Sequence, residues 1–322
     1  MSNPTATGAH AALPTDERMP RTAIALNPRA GHDRRRQRFG WAFVAPFAVV
    51  FTIFLIAPLG YAFWLSLQTK TLAAGTHFSG LGNYKQAFSD PQFLQGIWLV
   101  TRFALILIPL QMLVSLIAAL VLDNLTTRLS RFARLAIFVP YAVPVVIGAL
   151  MWGFLYSPRF GPLKSLFGLF GADAPFLLSP QNVFGGLINV VTWQWAGYYM
   201  IIIYAALRGI DPSIYEAARI DGAKGWQIAT RIKIPMISSA LILILVFALI
   251  GTLQFFTEPQ VLRPVAAGSI NASYTPNIYA FTLAFSYSQF NYASAISFAL
   301  GAVVFIGSYA FLFLTRKKNG LS

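Results

Sequence analysis

The sequence predicts an all-α, polytopic membrane helix bundle with about six transmembrane helices. Three observations predict it. Of 322 residues, 57% are hydrophobic and only 11% are charged, whereas a soluble domain carries about a quarter charged; the apolar surplus needs lipid as its solvent. The apolar residues fall into runs long enough for a hydrocarbon core of about 30 Å, which takes about 20 helical residues. None of the runs alternates polar and apolar as the strands of an outer-membrane barrel do.

Residues 1–39 hold Arg18, Arg21, Arg29, Arg34, Arg35, Arg36 and Arg38 among Pro and small residues, a composition that reads as a disordered basic tail. The run from Trp41 to Leu67 is too long for the apolar core of a secretory signal and has no small-residue cleavage site. It is read as the first membrane helix. Further runs lie at 93–122, 133–156, 183–207, 235–257 and 292–314, so the chain divides into a tail, 1–39, and a transmembrane domain, 40–322. Pro46, Pro58, Pro109, Pro140 and Pro144 fall inside runs, where each removes a backbone donor and permits a bend that neighbouring helices absorb. Ala293, Ser297 and Gly301 form a small-residue stripe on the last helix that admits a close neighbour.

Positive charge orients the bundle. With the tail inside, the inner segments also hold Arg128, Arg131 and Arg134, then Arg208, Arg219, Lys224, Arg231 and Lys233, and finally Arg316, Lys317 and Lys318. The outer segments hold only Lys70, Lys85, Arg159, Lys164 and Arg263. Both termini are therefore expected to be cytoplasmic, in a multi-pass protein of the cell (plasma) membrane. Arg102 lies near the outer end of the second helix, within reach of the headgroups.

The same distribution narrows the function. A net charge of +14 would suit nucleic acid on a polar soluble face, but here the cations flank apolar runs, so membrane lipid is the expected partner and nucleic acid is not. The chain has no cysteine, and His10, His32 and His77 are scattered, so no metal site is expected. No constellation of acids, bases or nucleophiles recurs inside the runs, which leaves no catalytic residue to assign. Glu258, followed by Pro259, is the one carboxylate near the outer end of a core helix; alone, it suits capping better than a proton relay.

The segment 208–235, RGIDPSIYEAARIDGAKGWQIATRIKIP, departs from a mere connection. Asp211 followed by Pro212 is a helix start, because the carboxylate accepts from first-turn amides and proline there loses no needed donor. Gly222 is a helix stop, since glycine enters the left-handed conformation without steric cost. A second turn and helix run through Trp226 to Ile232, and Pro235 opens the fifth membrane helix. Ile214, Ala217 and Ala218 share a shallow apolar face suited either to a groove on a soluble partner or to the headgroup layer.

The string EAARIDGA from Glu216 to Ala223, followed by Ile232 and Pro235, closely resembles the EAA motif of the binding-protein-dependent permeases of ABC importers. GLGNYKQAFSDPQF from Gly80, RLAIFVPYAVP from Arg134 and QFFTEPQVL from Gln254 resemble the maltose-type, carbohydrate-uptake branch. The likeness covers nearly everything from Trp41 onward, and departs from many relatives after Leu262, where RPVAAGSINAS replaces a Gly-Gly-Pro run. It implies the type I ABC importer permease fold, with a cytoplasmic ATPase docking on the EAA loop. Glu216 would contact that ATPase, Ala217, Ala218 and Ala223 would allow close approach, Gly222 and Asp221 would form the turn, and Pro235 would follow.

No Gly-Lys-Ser or Gly-Lys-Thr phosphate loop occurs here, so the chain is read as non-catalytic and without a cofactor of its own, ATP and Mg belonging to the partner ATPase. The resemblance further implies an ATPase dimer, a second homologous permease subunit and an extracytoplasmic solute-binding protein. For the solute, polar and aromatic residues near mid-membrane are the candidates: Gln194 and Tyr198 on the fourth helix, and Gln254, Phe255 and Thr257 at the end of the fifth. The competing class, an ion-coupled secondary carrier, would need several buried ionisable groups.

Overall fold

The computed structural model describes residues 30–71, 75–124, 128–158, 161–171 and 176–318. Most of the basic tail predicted over 1–39 thus lies outside the described residues. The chain separates into two compact units, Met1–Ala57 and Pro58–Ser322.

The first unit contains α1 (Ala30–Phe51) and a π-helical turn, Thr52–Ile56. The helix begins ahead of Trp41, within the segment read as a tail, where Arg34, Arg35, Arg36, Gln37 and Arg38 are good helix formers that extend an already nucleated helix at little cost. Trp41, Phe43 and Phe47 are 73%, 90% and 69% exposed, a surface only lipid or another apolar helix would cover. With α2 (Ala57–Ser66) the span Trp41–Ser66 is complete.

After α2 comes a small hairpin that the sequence reading did not contain, β1 (Gln68–Thr71) and β2 (Gly75–Phe78), antiparallel with Gln68 opposite Phe78. Asn83, on α3 (Gly82–Ala87), fastens it: Nδ2 donates to the Ser66 and Gln68 carbonyls at 2.9 and 2.8 Å, and Oδ1 accepts from Thr69 Oγ1 at 3.0 Å. The first long helix of the bundle core is α4 (Pro91–Asp123), capped by Asp90, whose Oδ1 accepts from the Gln92 amide at 2.9 Å. Its other oxygen, Oδ2, accepts from the hydroxyls of Tyr279 and Tyr292 at 2.7 and 2.8 Å.

The third predicted helix, 133–156, is two helices. α5 (Arg128–Ala142) and α6 (Val145–Leu155) meet at 98°. Pro144 has no amide hydrogen to give the Pro140 carbonyl four residues back, and a proline pushes the residue before it out of the helical region; the chain turns at Val143. Short α7 (Pro162–Gly168) and then α8 (Val183–Arg208) follow.

α4 and α8 form the centre of the bundle. Phe103, Leu107, Gln111, Ser115, Ala119 and Leu122 are buried along one stripe of α4, while Leu105, Ile106, Leu113 and Ile117 on the other faces are at least half exposed. Polar groups on the stripe bond across to α8: Gln111 Nε2 donates to the Val191 carbonyl at 3.1 Å and Ser115 Oγ to that of Ala196 at 2.9 Å. Such interhelical bonds average about 0.6 kcal/mol. α5 lies on the far side of α8, where a Cβ at Gly197 would overlap the Ile137 carbonyl; only glycine permits that approach.

Beyond α8 lie α9 (Pro212–Ile220), α10 (Gly225–Ile228), a second π turn (Ala229–Lys233), α11 (Ile234–Met236) and α12 (Ser238–Leu253). The two π turns stand in one relation to proline, ending two residues before Pro58 and Pro235. A proline cannot donate to the carbonyl four residues back and its ring presses on it, so a widened turn relieves both faults. The fifth predicted helix, 235–257, breaks at Gln254–Phe256 and resumes as α13 (Thr257–Leu262), giving the span Ser238–Val265. α14 (Pro276–Phe285) and α15 (Phe290–Lys318) complete the chain. Among the described residues five helices are long and apolar enough to cross a membrane, or six if the bent α5–α6 pair is one span.

Candidate functional site

Two regions assemble the candidate residues. The first is the loop from α8 to α12. Asp211 Oδ1 accepts from the Ser213 amide at 2.9 Å with Pro212 in the first turn; this bond holds the Asp211 carboxyl below the usual carboxylate range. At the other end Gly222 has φ +78°, the Ala223 amide reaches back to the Ala218 carbonyl at 2.9 Å, and the Gly222 amide reaches that of Arg219 at 3.0 Å. These paired bonds are a Schellman closure. Main-chain bonds therefore hold the turn, and the Asp221 side chain is exposed beside it.

Glu216 and Ala217 are exposed, Ala218 and Ala223 half-buried. Ile214, Ile220 and Trp226 are 37%, 87% and 60% exposed, leaving an apolar surface open around the acidic residue. Tyr215 points the other way, its ring 4.9 Å from Lys233 Nζ. Lys233 in turn donates to Asp123 Oδ2 at 2.6 Å, both side chains 7% exposed. Lys233 was read from sequence only as an orienting charge and Asp123 was not singled out; the one available signal was an acidic residue ending a 33-residue helix, where the helix dipole disfavours it.

The second region is a cavity of ≈ 440 Å³ between α4, α5, α8 and the α12–α13 segment, within the range of about 300–1,000 Å³ typical of small-molecule sites. Tyr198, Gln254, Phe255 and Thr257 all line it. Phe255 stacks on Phe103 with centroids 4.5 Å apart. Gln254 is exposed because the helix unwinds there, and its side chain makes no hydrogen bond to another described residue.

Gln194 does not line the cavity. It is 2% exposed and its Nε2 donates to the carbonyls of Pro140 and Val143 at 3.0 and 2.7 Å. The Val143 carbonyl is left over where Pro144 breaks the helix, and the Pro140 carbonyl has only the Val143 amide besides, at 3.2 Å, so the side chain serves the bend. Sequence reasoning missed Tyr141, which stacks on Tyr198 with centroids 4.5 Å apart, and the cavity roles of Gln111, Thr252 and Glu258. Tyr141 carried a signal, an aromatic residue between the two prolines of a broken helix.

A lipid-compatible bundle with a broken-helix cavity and an ordered, outward-facing loop helix defines a membrane transport subunit. The chain belongs to the family of binding-protein-dependent transport system inner membrane components, whose model matches residues 111–317. It is a multi-pass membrane permease of the ABC transporter class, not an enzyme. It is 31% identical to the lactose transport system permease protein LacF of Rhizobium radiobacter over 92% of this chain and 100% of that one. To the diacetylchitobiose uptake system permease protein NgcF of Streptomyces coelicolor it is 28% identical over 91% and 88%. To the sn-glycerol-3-phosphate transport system permease protein UgpA of Salmonella typhimurium it is 32% identical over 72% and 78%. In fold it resembles a chain of a bacterial alginate ABC transporter solved with an alginate-bound periplasmic protein, with TM-score 0.78 and 22% identity over 89% of this chain and 97% of that one.

Proposed function

We propose that this chain is one permease subunit of an ATP-driven, binding-protein-dependent importer of a neutral carbohydrate, with α9 as the helix on which a cytoplasmic ATPase docks. The observation that carries the reading is α9 itself, capped by Asp211 and closed at Gly222, holding Glu216, Ala217, Ile214 and Ile220 open to an occupant. A loop helix that only joined two spans would have no reason to be so ordered and so bare.

Closure of the ATPase pair moves α9, α9 moves the membrane helices, and the cavity opens to alternate sides. ATP and Mg belong to the ATPase. A second, homologous permease completes the pore, and an extracytoplasmic binding protein delivers the solute. The distribution of positive charges supports a cytoplasmic setting for the termini and the α9 loop. Glu216 supplies polar contact with the ATPase, Ala217, Ala218 and Ala223 admit its surface, Gly222 and Asp221 form the turn, and Pro235 starts the return into the membrane.

Tyr198, Phe255 and Tyr141 offer flat apolar faces for the C–H faces of a sugar, and Gln254, Thr257 and Glu258 offer hydrogen-bond partners. No Lys or Arg lines the cavity among the described residues. A phosphate- or carboxylate-bearing cargo would meet Glu258 without a compensating cation, which favours neutral sugars such as those named for the lactose and diacetylchitobiose relatives.

The test is purification of the tagged chain from its host in mild detergent. Recovery of an ATPase and a second EAA-bearing permease is the expected result. A chain that purifies alone and moves solute in proteoliposomes without ATP would replace this reading with a secondary carrier.

A further inference from the structure

The coupling reading leaves open how motion of α9 reaches the helices that line the cavity. Backbone links α9 to α12 through α10, the second π turn and α11, and Ile237 at the start of α12 packs in one apolar cluster with Leu122 of α4. α4 supplies Leu107 and Gln111 to the cavity. One polar contact ties its end to the turn itself. Lys233, the last residue of the π turn, donates to Asp123, the last residue of α4, at 2.6 Å, and to Asn124 Oδ1 at 3.3 Å.

This is the only ion pair among the described residues, and stability does not explain it. Buried ion pairs usually do no better than apolar residues of equal volume, because desolvation cancels the attraction. An aspartate at a helix C-terminus also faces the negative end of the dipole. A chain selected for rigidity alone would place apolar or basic groups here.

The surroundings fit a joint. Tyr215 of α9 lays its ring 4.9 Å from the ammonium, while its buried hydroxyl has no hydrogen-bond partner. Two cavities of ≈ 240 and ≈ 150 Å³ flank the pair, both lined by Asn124, Tyr215, Arg219 and Lys233. The ring and ammonium therefore have room to shift, and the ammonium has a second acceptor one residue from the first. We propose that the Asp123–Lys233 ion pair, roofed by Tyr215, is the joint through which motion of α9 is passed to α4 and shifts it against α12. Asp123, Lys233 and Tyr215 are then positioning residues of transport coupling, which rests on α9 being the ATPase dock.

The chain has no cysteine, so spin labels can be placed freely. Leu113 of α4 and Leu243 of α12 are 55% and 50% exposed and suit Leu113→Cys and Leu243→Cys. Pulsed electron resonance on the whole importer, purified with its partner subunits, reads the label separation without nucleotide and after trapping with ATP and vanadate. In the otherwise native chain trapping should change the separation. Asp123→Asn, Lys233→Met and Tyr215→Leu should each lose most of that change while still trapping nucleotide on the ATPase, and Asp123→Lys with Lys233→Asp, or Tyr215→Phe, should restore it. Single variants that move like the native chain, a native chain whose labels do not move, or a swapped pair that stays uncoupled would each overturn the joint. If Asp123→Asn and Lys233→Met fail to assemble, Tyr215→Leu decides by the same criterion. Failure of the native chain to recover any ATPase would instead defeat the functional reading beneath it.

Discussion

Gln194 closes the break between α5 and α6 by donating its side-chain amide to the Pro140 carbonyl at 3.0 Å. That carbonyl cannot take the helical bond from Pro144, four residues on, and has otherwise only the Val143 amide, at 3.2 Å. The Gln194 amide also takes the Val143 carbonyl, at 2.7 Å. Gln194→Leu strands the part-buried Val143 carbonyl at about 1–3 kcal/mol and leaves the Pro140 carbonyl only the Val143 amide. The expected outcome is a lower melting temperature of the purified permease, by several degrees, with an unchanged KM for uptake in whatever fraction assembles. A variant of native stability and altered KM would return Gln194 to the solute path.

Gln254→Leu and Thr257→Val should act on transport with little effect on stability, since both side chains line the cavity at the helix break. A lost hydrogen bond of about 0.5–1.5 kcal/mol corresponds to an apparent affinity weaker by about 2- to 12-fold. Concentration-dependent uptake, normalised to the amount of permease in the membrane, measures it.

Gly222→Val places a β-branched residue at φ +78°, a conformation that costs a residue with a Cβ about 1–2 kcal/mol or more, and undoes the Schellman closure of α9. Glu216→Lys reverses the exposed charge on the same helix. Both variants should remain in the membrane, Gly222→Val melting somewhat below the native chain and Glu216→Lys with it, yet lose the stimulation of ATP hydrolysis by solute-loaded binding protein. Normal stimulation in both would remove α9 from coupling.

Asp90 ties the start of α4 to α14 and α15. Burial alone would raise its pKa, but the Tyr279 and Tyr292 hydroxyls and the amides of Gln92 and Phe93 outweigh it and hold the carboxyl below its ordinary 3.8. A depressed folded-state pKa contributes stability that is complete above the unfolded value and is lost as pH falls through the folded one. The carboxylate is partly open to solvent, so Asp90→Asn should cost about 1 kcal/mol at neutral pH. In paired thermal melts the gap between native and variant chains should close on acidification below the ordinary carboxylate value. A constant gap would assign the loss to packing.

The spans were legible because length and hydropathy are local properties. Val183–Arg208 falls within a residue of its predicted limits, and the ends of α9 were readable from Asp211–Pro212 and Gly222 because caps are local chemistry. Pro140 and Pro144 signalled bending, but not that the bend would reach 98°, nor that Gln194 would be drawn off to repair it. That outcome depends on residues 54 and 51 positions apart. Asp123 and Lys233 stand 110 positions apart, so an aspartate closing a long helix was legible but its partner was not. Gln254, Phe255 and Thr257 were readable as a polar and aromatic interruption of an apolar run, whereas Tyr141 joins them only because Gly197 lets α5 lie against α8.

ATP-driven import through a cavity coupled to α9 can be observed in a reconstituted system. Its most direct measurement is uptake by proteoliposomes containing this chain with its co-purified ATPase and second permease. The cargo is a radiolabelled sugar chosen because it raises the melting temperature of the co-purified binding protein. Accumulation should require ATP inside the vesicle and binding protein outside, and should disappear with Gly222→Val. Accumulation that proceeds without ATP, or that survives Gly222→Val undiminished, would contradict it.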